Sequence, residues 1–308
     1  MASTDRRCHP VQTASPQAQS GVALIMVLWV LLLVTITSGA FALMARMDQL
    51  EAHSVMWSTR ARLAAEAGIN MAVLHLRDPI DESRWVPDGR IYQLVYEDVL
   101  LEIEVTDERG KININDANEE ALARLFAGNG VDEEYAELLA AAVADWRDAD
   151  EMERPNGAEA PAYESAGLSI GPGNHKFVLI EELLQVLGMP WELFKQIEGA
   201  ITVYEDAPLP DPAFGPAEAL VALPDITPED ALNFVAERQS QEPGSGPGVA
   251  LPTGQVVMER RRGLTYSIQA KATLPNGVWD QLRATVRLGG SRDGRPFQIL
   301  RWREGFHE

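Results

Sequence analysis

The chain has 308 residues, with 26 Lys and Arg against 46 Asp and Glu, and a formal net charge of −20. Such an acid excess disfavours nucleic acid, whose binding draws on clustered basic side chains, and favours solubility and divalent cations. The single cysteine, Cys8, precedes the first apolar segment, so disulfides, thiol catalysis and thiolate metal sites are closed to the body of the chain. A polar leader with Arg6 and Arg7 comes first, then an uncharged run from Val22 to Ala45. At about 1.5 Å per residue that run reaches roughly 36 Å, enough for a hydrocarbon core of about 30 Å. Positive-inside logic puts the leader in the cytoplasm and the acidic body across the membrane. A cleaved secretory signal, with its exit at Ala40-Phe41-Ala42, would instead release a soluble protein. The run is longer than a usual signal core, and helical spacing continues past it. Leu63, Ala67, Met71 and Leu74 recur on one face, with Arg60, Arg62, Glu66 and Asn70 on others. One long helix is therefore predicted, with a transmembrane half at 22–45 and an amphipathic half at 46–77.

The stretch Ser20-Gly21-Val22-Ala23-Leu24-Ile25-Met26-Val27-Leu28-Trp29 resembles the processing site of type IV pilins and type II secretion pseudopilins. The resemblance implies that a prepilin peptidase cuts between Gly21 and Val22 and methylates the new amino terminus at Val22. The apolar segment then stays attached as an anchor. Glycine suits the cut because it offers an unhindered carbonyl. Most members carry glutamate at mature position five, where this chain has Met26. A carboxylate there is costly in lipid and is kept to neutralise the amine of a neighbouring subunit. A subunit at the end of a fibre has no such neighbour, and among pseudopilins this loss marks the K-type minor subunit.

Asp78-Pro79 ends the predicted helix, and Ile91 to Tyr96 with Val99 to Asp107 reads as a hairpin. Leu264 to Leu274, Pro275-Asn276-Gly277 and Val278 to Leu288 form a strand, turn and strand, with a last strand at Phe297 to Trp302. The fold class is α+β: a pilin-like long amino-terminal helix packed on an antiparallel sheet drawn from 78–112 and 250–308, with an inserted all-α domain at 113–249. A faint repeat lies in the insertion. Asn115 to Leu122 with Val131 to Tyr135 parallels Gly215 to Leu220 with Ile226 to Asp230, each reading as helix, turn and helix. Asn115 and Thr227 are candidate caps. A helix-hairpin-helix grip on DNA is disfavoured, because Asp132-Glu133-Glu134 and Pro228-Glu229-Asp230 would repel phosphate.

The insertion carries further blocks: Lys111-Ile112-Asn113-Ile114-Asn115, Ala144-Asp145-Trp146-Arg147-Asp148-Ala149-Asp150, Arg154-Pro155-Asn156-Gly157-Ala158-Glu159 and Val178 to Leu184. In this order, and with Ile201 to Tyr204 and Ala284 to Leu288, they resemble the general secretion pathway protein K family over nearly the whole chain after Gly21. The resemblance implies a minor pseudopilin of the type II secretion system, single-pass in the inner membrane with its bulk in the periplasm. It would cap the tip of the pseudopilus with I-type and J-type partners above the major pseudopilin fibre, serving export of folded proteins. The alternative is a minor pilin of a type IV pilus or DNA-uptake fibre.

Asp145, Asp148, Asp150, Glu151, Glu153, Glu159 and Glu164 crowd one loop with Pro155, Asn156 and Gly157. Hard oxygens at this density suit calcium, with Asp145, Asp148, Asp150, Glu151 and Glu159 as the expected ligands. The order of acids is not that of an EF-hand. Members of the resembled family bind calcium in the inserted domain, although the match does not select the ligands, and a solvated acidic loop is the bland alternative. Nothing points to an enzyme. The histidines at 9, 53, 75, 175 and 307 form no metal pair, and no serine has a nucleophile setting. His175 is expected on a turn and Trp146 in the core.

Overall fold

The computed structural model describes residues 20–80, 83–242, 248–258, 263–289 and 294–305, so the leader with Arg6, Arg7 and Cys8 lies outside the described residues. Two compact units divide the chain, one through Met56 and one from Trp57 onward. Helix α1 spans Ser20–Leu76 across that division. No proline interrupts it, and the chain turns at Asp78, whose carboxylate accepts the Ile80 N–H at 2.9 Å. In the first unit the apolar side chains from Val22 onward are all exposed, and this helix is long and apolar enough to cross a membrane.

In the second unit the carboxy-terminal part of α1 lies on a five-stranded antiparallel sheet. Its first strands are β1 (Asp88–Tyr96) and β2 (Val99–Asp107), which pair as the expected hairpin. The face of α1 turned to the sheet is not the expected one. Ala61, Ala64, Ala65, Ile69, Ala72, Val73 and Leu76 are buried, whereas Leu63 is 58% and Leu74 69% exposed, with Ala67 and Met71 only half-buried. Close approach explains the choice. A Cβ on Gly68 would stand 3.1 Å from the Ala270 Cβ and 3.4 Å from the Ile103 Cδ1, so only small residues let helix and sheet meet. Gly68→Val should therefore cost about 1–3 kcal/mol in urea unfolding of the full chain, through overpacking. Gly68→Ala should be near neutral, because about 1 kcal/mol of helix propensity offsets the tighter fit.

The insertion leaves after β2 and passes through β3 (Ile112–Asn113), α2 (Glu119–Gly128), α3 (Glu133–Arg147), α4 (Ala160–Ser165), a 3₁₀ turn at Ile180–Gln185, and α5 (Trp191–Ile197). It continues through β4 (Ile201–Thr202), which pairs in parallel with β3, then α6 (Ala217–Leu220) and α7 (Pro228–Ser240). The two halves of the repeat are α2 with α3 and α6 with α7. Gly128 packs them together, since a Cβ there would lie 2.6 Å from the Val221 Cβ. Thr227 caps α7 as expected, in a capping box with Asp230. Asn118 caps α2, not Asn115, whose side chain instead bonds both the N–H and the C=O of Phe177.

A short hairpin of β5 (Val249–Ala250) and β6 (Val256–Val257) follows, and its Val249 and Leu251 belong to the core of the insertion. The helical domain thus extends past the expected boundary at 249. The sheet then resumes with β7 (Thr265–Thr273), β8 (Trp279–Leu288) and β9 (Phe297–Glu304), in the order β1-β2-β7-β8-β9. Gly277, at φ +84°, makes the turn between β7 and β8 that the sequence predicts. Because β2 and β7 are paired neighbours, the helical domain springs from between adjacent strands. A buried polar knot fixes the exit: Glu108 accepts from Lys111 at 2.6 Å, from Ser267 of β7 at 2.5 Å and from Thr202 of β4 at 2.5 Å.

Candidate functional site

The acidic loop begins where α3 ends, at Asp148, whose N–H bonds the Ala144 carbonyl. Its frame is apolar. Trp146 is buried against Phe177 and Tyr163, with both ring centroids at 6.1 Å, and the Tyr163 hydroxyl accepts the Leu187 N–H at 3.0 Å. Arg147 donates to the carbonyls of Ile114 and Ala117, tying the end of α3 to the segment that leads into α2. His175 is exposed, as expected of a turn residue.

Asp145 sits in the last turn of α3 with its side chain wholly buried, and the loop folds back to satisfy it. Its carboxylate accepts from the Arg154 guanidinium at 2.7 Å, the Ala158 N–H at 2.9 Å and the Arg154 N–H at 3.3 Å. Gly157 is required for this return, because a Cβ there would fall 1.9 Å from Asp145 Oδ2. Asn156 takes the preceding left-handed position at φ 66°, which asparagine tolerates. Arg154 also bonds Asp148 and reaches Glu119 at 3.1 Å. Its bonds to Asp148 and then Asp145 hold the guanidinium well above its ordinary pKa.

The other expected ligands divide. Asp150 and Glu151 are exposed, and Asp150 accepts the Met152 N–H at 2.9 Å within its own turn. Glu159 is only 3% exposed. Its Oε1 and the Oδ1 of Asp148 are buried and have no donor among the described residues. Burial first, and then the charges of Asp145, Asp148, Asp150 and Glu151, push the Glu159 carboxyl above its usual range. These five acids therefore share one electrostatic neighbourhood. Among the described residues, however, no three His, Cys, Asp or Glu side chains stand together as a ligand set. Arg154 supplies the positive charge instead. In the sequence Arg154 stands out only as the first residue of the block 154–159, and its place six residues after Asp148 and three before Gly157 is the one signal of its pairing with the acids.

The other candidate site, the bond between Gly21 and Val22, lies in the first turn of α1. The first four N–H groups of a helix have no carbonyl partner within it, so this end is the cheapest to draw into an extended conformation. Met26 is exposed one turn further on, within the apolar surface.

Residues 99–206, from β2 to just beyond β4, match the family model of type II secretion system (T2SS), protein K. A chain in the crystal structure of the GspK-GspI-GspJ complex from the enterotoxigenic Escherichia coli type 2 secretion system has a similar fold. Its TM-score is 0.50 at 16% identity, and the likeness covers 85% of this chain and 99% of that one. No curated protein gives a significant match. That family match sits in the helical domain between neighbouring strands of an antiparallel sheet, behind a long amino-terminal helix, so residues 99–206 are those of a type II secretion system protein K and the rest of the chain shares the fold of the GspK-GspI-GspJ complex chain.

Proposed function

We propose that this minor pseudopilin caps the tip of the periplasmic pseudopilus, starting the fibre or limiting its length, so that folded proteins are exported across the outer membrane. The observation that carries the reading is the helical insertion, a second core built out from between β2 and β7 of a pilin-like sheet. A subunit bearing such a mass cannot be stacked upon in the manner of one made of helix and sheet alone. Met26 agrees, since a terminal subunit needs no carboxylate to receive the amine of another. Val22 to Ala45 anchors the chain in the inner membrane, prepilin peptidase removes the leader after Gly21, and Val22 is methylated. The partners are the I-type and J-type minor pseudopilins, by analogy with the GspK-GspI-GspJ complex, and the major pseudopilin fibre below them. Deletion should stop or misregulate secretion of folded periplasmic proteins, with rescue by the intact gene. Normal export in a clean deletion strain contradicts the role.

Calcium is the second part of the proposal, held by Asp145, Asp148 and Glu159 with Asp150 and Glu151 at the rim. Two buried carboxylate oxygens without donors among the described residues and the raised Glu159 carboxyl support it, and a bound divalent cation would neutralise the charge that these groups share. Arg154, which now bridges Asp145 and Asp148, would have to give way. Calcium at a hundredfold excess over its Kd should stabilise the protein by about 2.7 kcal/mol. Thermal unfolding should fall on chelation and recover with calcium but not magnesium. Indifference to both ions would leave Arg154 as the permanent occupant.

A further inference from the structure

A second feature of the insertion stands apart from the acidic loop. A groove of about 580 Å³ runs between the start of α3 and the segments 168–170 and 184–190, lined by Tyr135, Leu168, Ile170, Leu184, Leu187 and Met189 among others, none of them charged. Leu168 and Ile170 on its rim are exposed, as are Leu138, Val178 and Leu179 nearby in the sequence. An uncharged hollow of this size is unexpected on a chain with 46 acidic residues. It is also preformed. The Tyr135 hydroxyl donates to the Gly188 carbonyl at 2.6 Å, and Gly188, at φ +82°, has its Cβ direction closed by that hydroxyl at 3.0 Å. A rigid wall leaves little ordering cost for an incoming group.

The surroundings specify the occupant. Exposed Asp132, Glu133, Glu134, Glu137, Glu164 and Glu192 lie within four residues of lining residues in the sequence, where no Lys or Arg does, and Arg301 and Arg303, which approach this segment at Glu181, are engaged there in ion pairs. Residues 125–146, 155–175 and 177–194 contain no Lys or Arg at all. Apolar contact inside and negative charge around it complement one chemistry. We propose that this groove docks a short apolar segment of another polypeptide, flanked by lysine or arginine. A second copy of this acidic chain is the wrong partner, since its own charge would oppose docking. The inference goes beyond the tip and calcium readings and does not rest on them, because no groove-lining residue is a carboxylate.

The test uses the full chain in detergent micelles, with Cys8→Ala and Ser169→Cys, labelled at the new thiol with an environment-sensitive fluorophore. Two synthetic peptides serve as probes, sharing a leucine-phenylalanine-leucine centre, one flanked by lysines and the other by glutamates. The lysine-flanked peptide should bind at least about tenfold more tightly at low salt, and the preference should fade near 1 M salt, where the Debye length is about 3 Å. Ile170→Asn, on an exposed loop, should weaken that binding by about tenfold without changing the thermal unfolding of the chain. Glu134→Gln with Glu137→Gln should narrow the gap between the peptides. Equal binding of both peptides, no binding of either, binding that survives Ile170→Asn, or self-association that Ile170→Asn abolishes would each overturn the proposal.

Discussion

Replacing Asp145 by alanine should destabilise the inserted domain by about 3–5 kcal/mol, the cost of stripping one partner from a buried ionic cluster. The carboxylate is wholly enclosed and takes the Ala158 N–H, the Arg154 N–H and the Arg154 guanidinium. Alanine would leave the N–H groups of Arg154 and Ala158 without their carboxylate acceptor, and the loop over 148–159 would lose its fastening to α3. Arg154 is itself partly exposed, so most of the loss falls on the backbone donors. Gly157→Ala tests the same arrangement from the other side, because its methyl group would occupy the place of Asp145 Oδ2. The two losses should not add, as both expel one carboxylate. Denaturant unfolding of the full chain reads both, and a loss below about 1 kcal/mol, the size of one ordinary hydrogen bond, for either would contradict the described cluster.

The second large effect concerns maturation and should be close to all-or-none. Gly21→Val places a branched side chain beside the carbonyl of the proposed cleavage site and stiffens the first turn of α1. The leader should then remain attached, with Arg6 and Arg7 at the head of the anchor, and secretion should fall to the level of the deletion strain. Gly21→Ala, with only a methyl group added, should process more slowly and support partial secretion. Immunoblotting against processed and unprocessed standards separates the outcomes. Normal processing of Gly21→Val would show that the peptidase does not use this bond.

The long helix, both hairpins and the repeat in the insertion were legible in the sequence, because each rests on local signals: an uncharged run, alternation around Pro275-Asn276-Gly277, and Thr227 with Asp230. The face of α1 was misread for a physical reason. Pattern reading weights large side chains such as Leu63 and Leu74, whereas the sheet accepts α1 only through Ala61, Ala64, Ala65, Gly68 and Ala72, whose value lies in what they leave out. The far boundary of the insertion was hidden too, since β5 and β6 are two residues each and declare their allegiance only by the burial of Val249 and Leu251. At the acidic loop the composition pointed to a shared charge, and Asp145, Asp148, Asp150 and Glu151 do bear on the Glu159 carboxyl, although among the described residues no three of these side chains meet as a ligand set. The fastening by Arg154 and Gly157 is a contact between side chain and loop, which no spacing rule encodes.

Every part of the functional account depends on the apolar helix remaining part of the mature protein. The intact mass of the protein extracted from membranes, with fragmentation at its amino end, measures this directly. The account predicts a polypeptide that starts at Val22, carries one methyl group on its terminal nitrogen and stays with the membrane fraction. A polypeptide that starts beyond Ala40 and is recovered in the soluble fraction would contradict it.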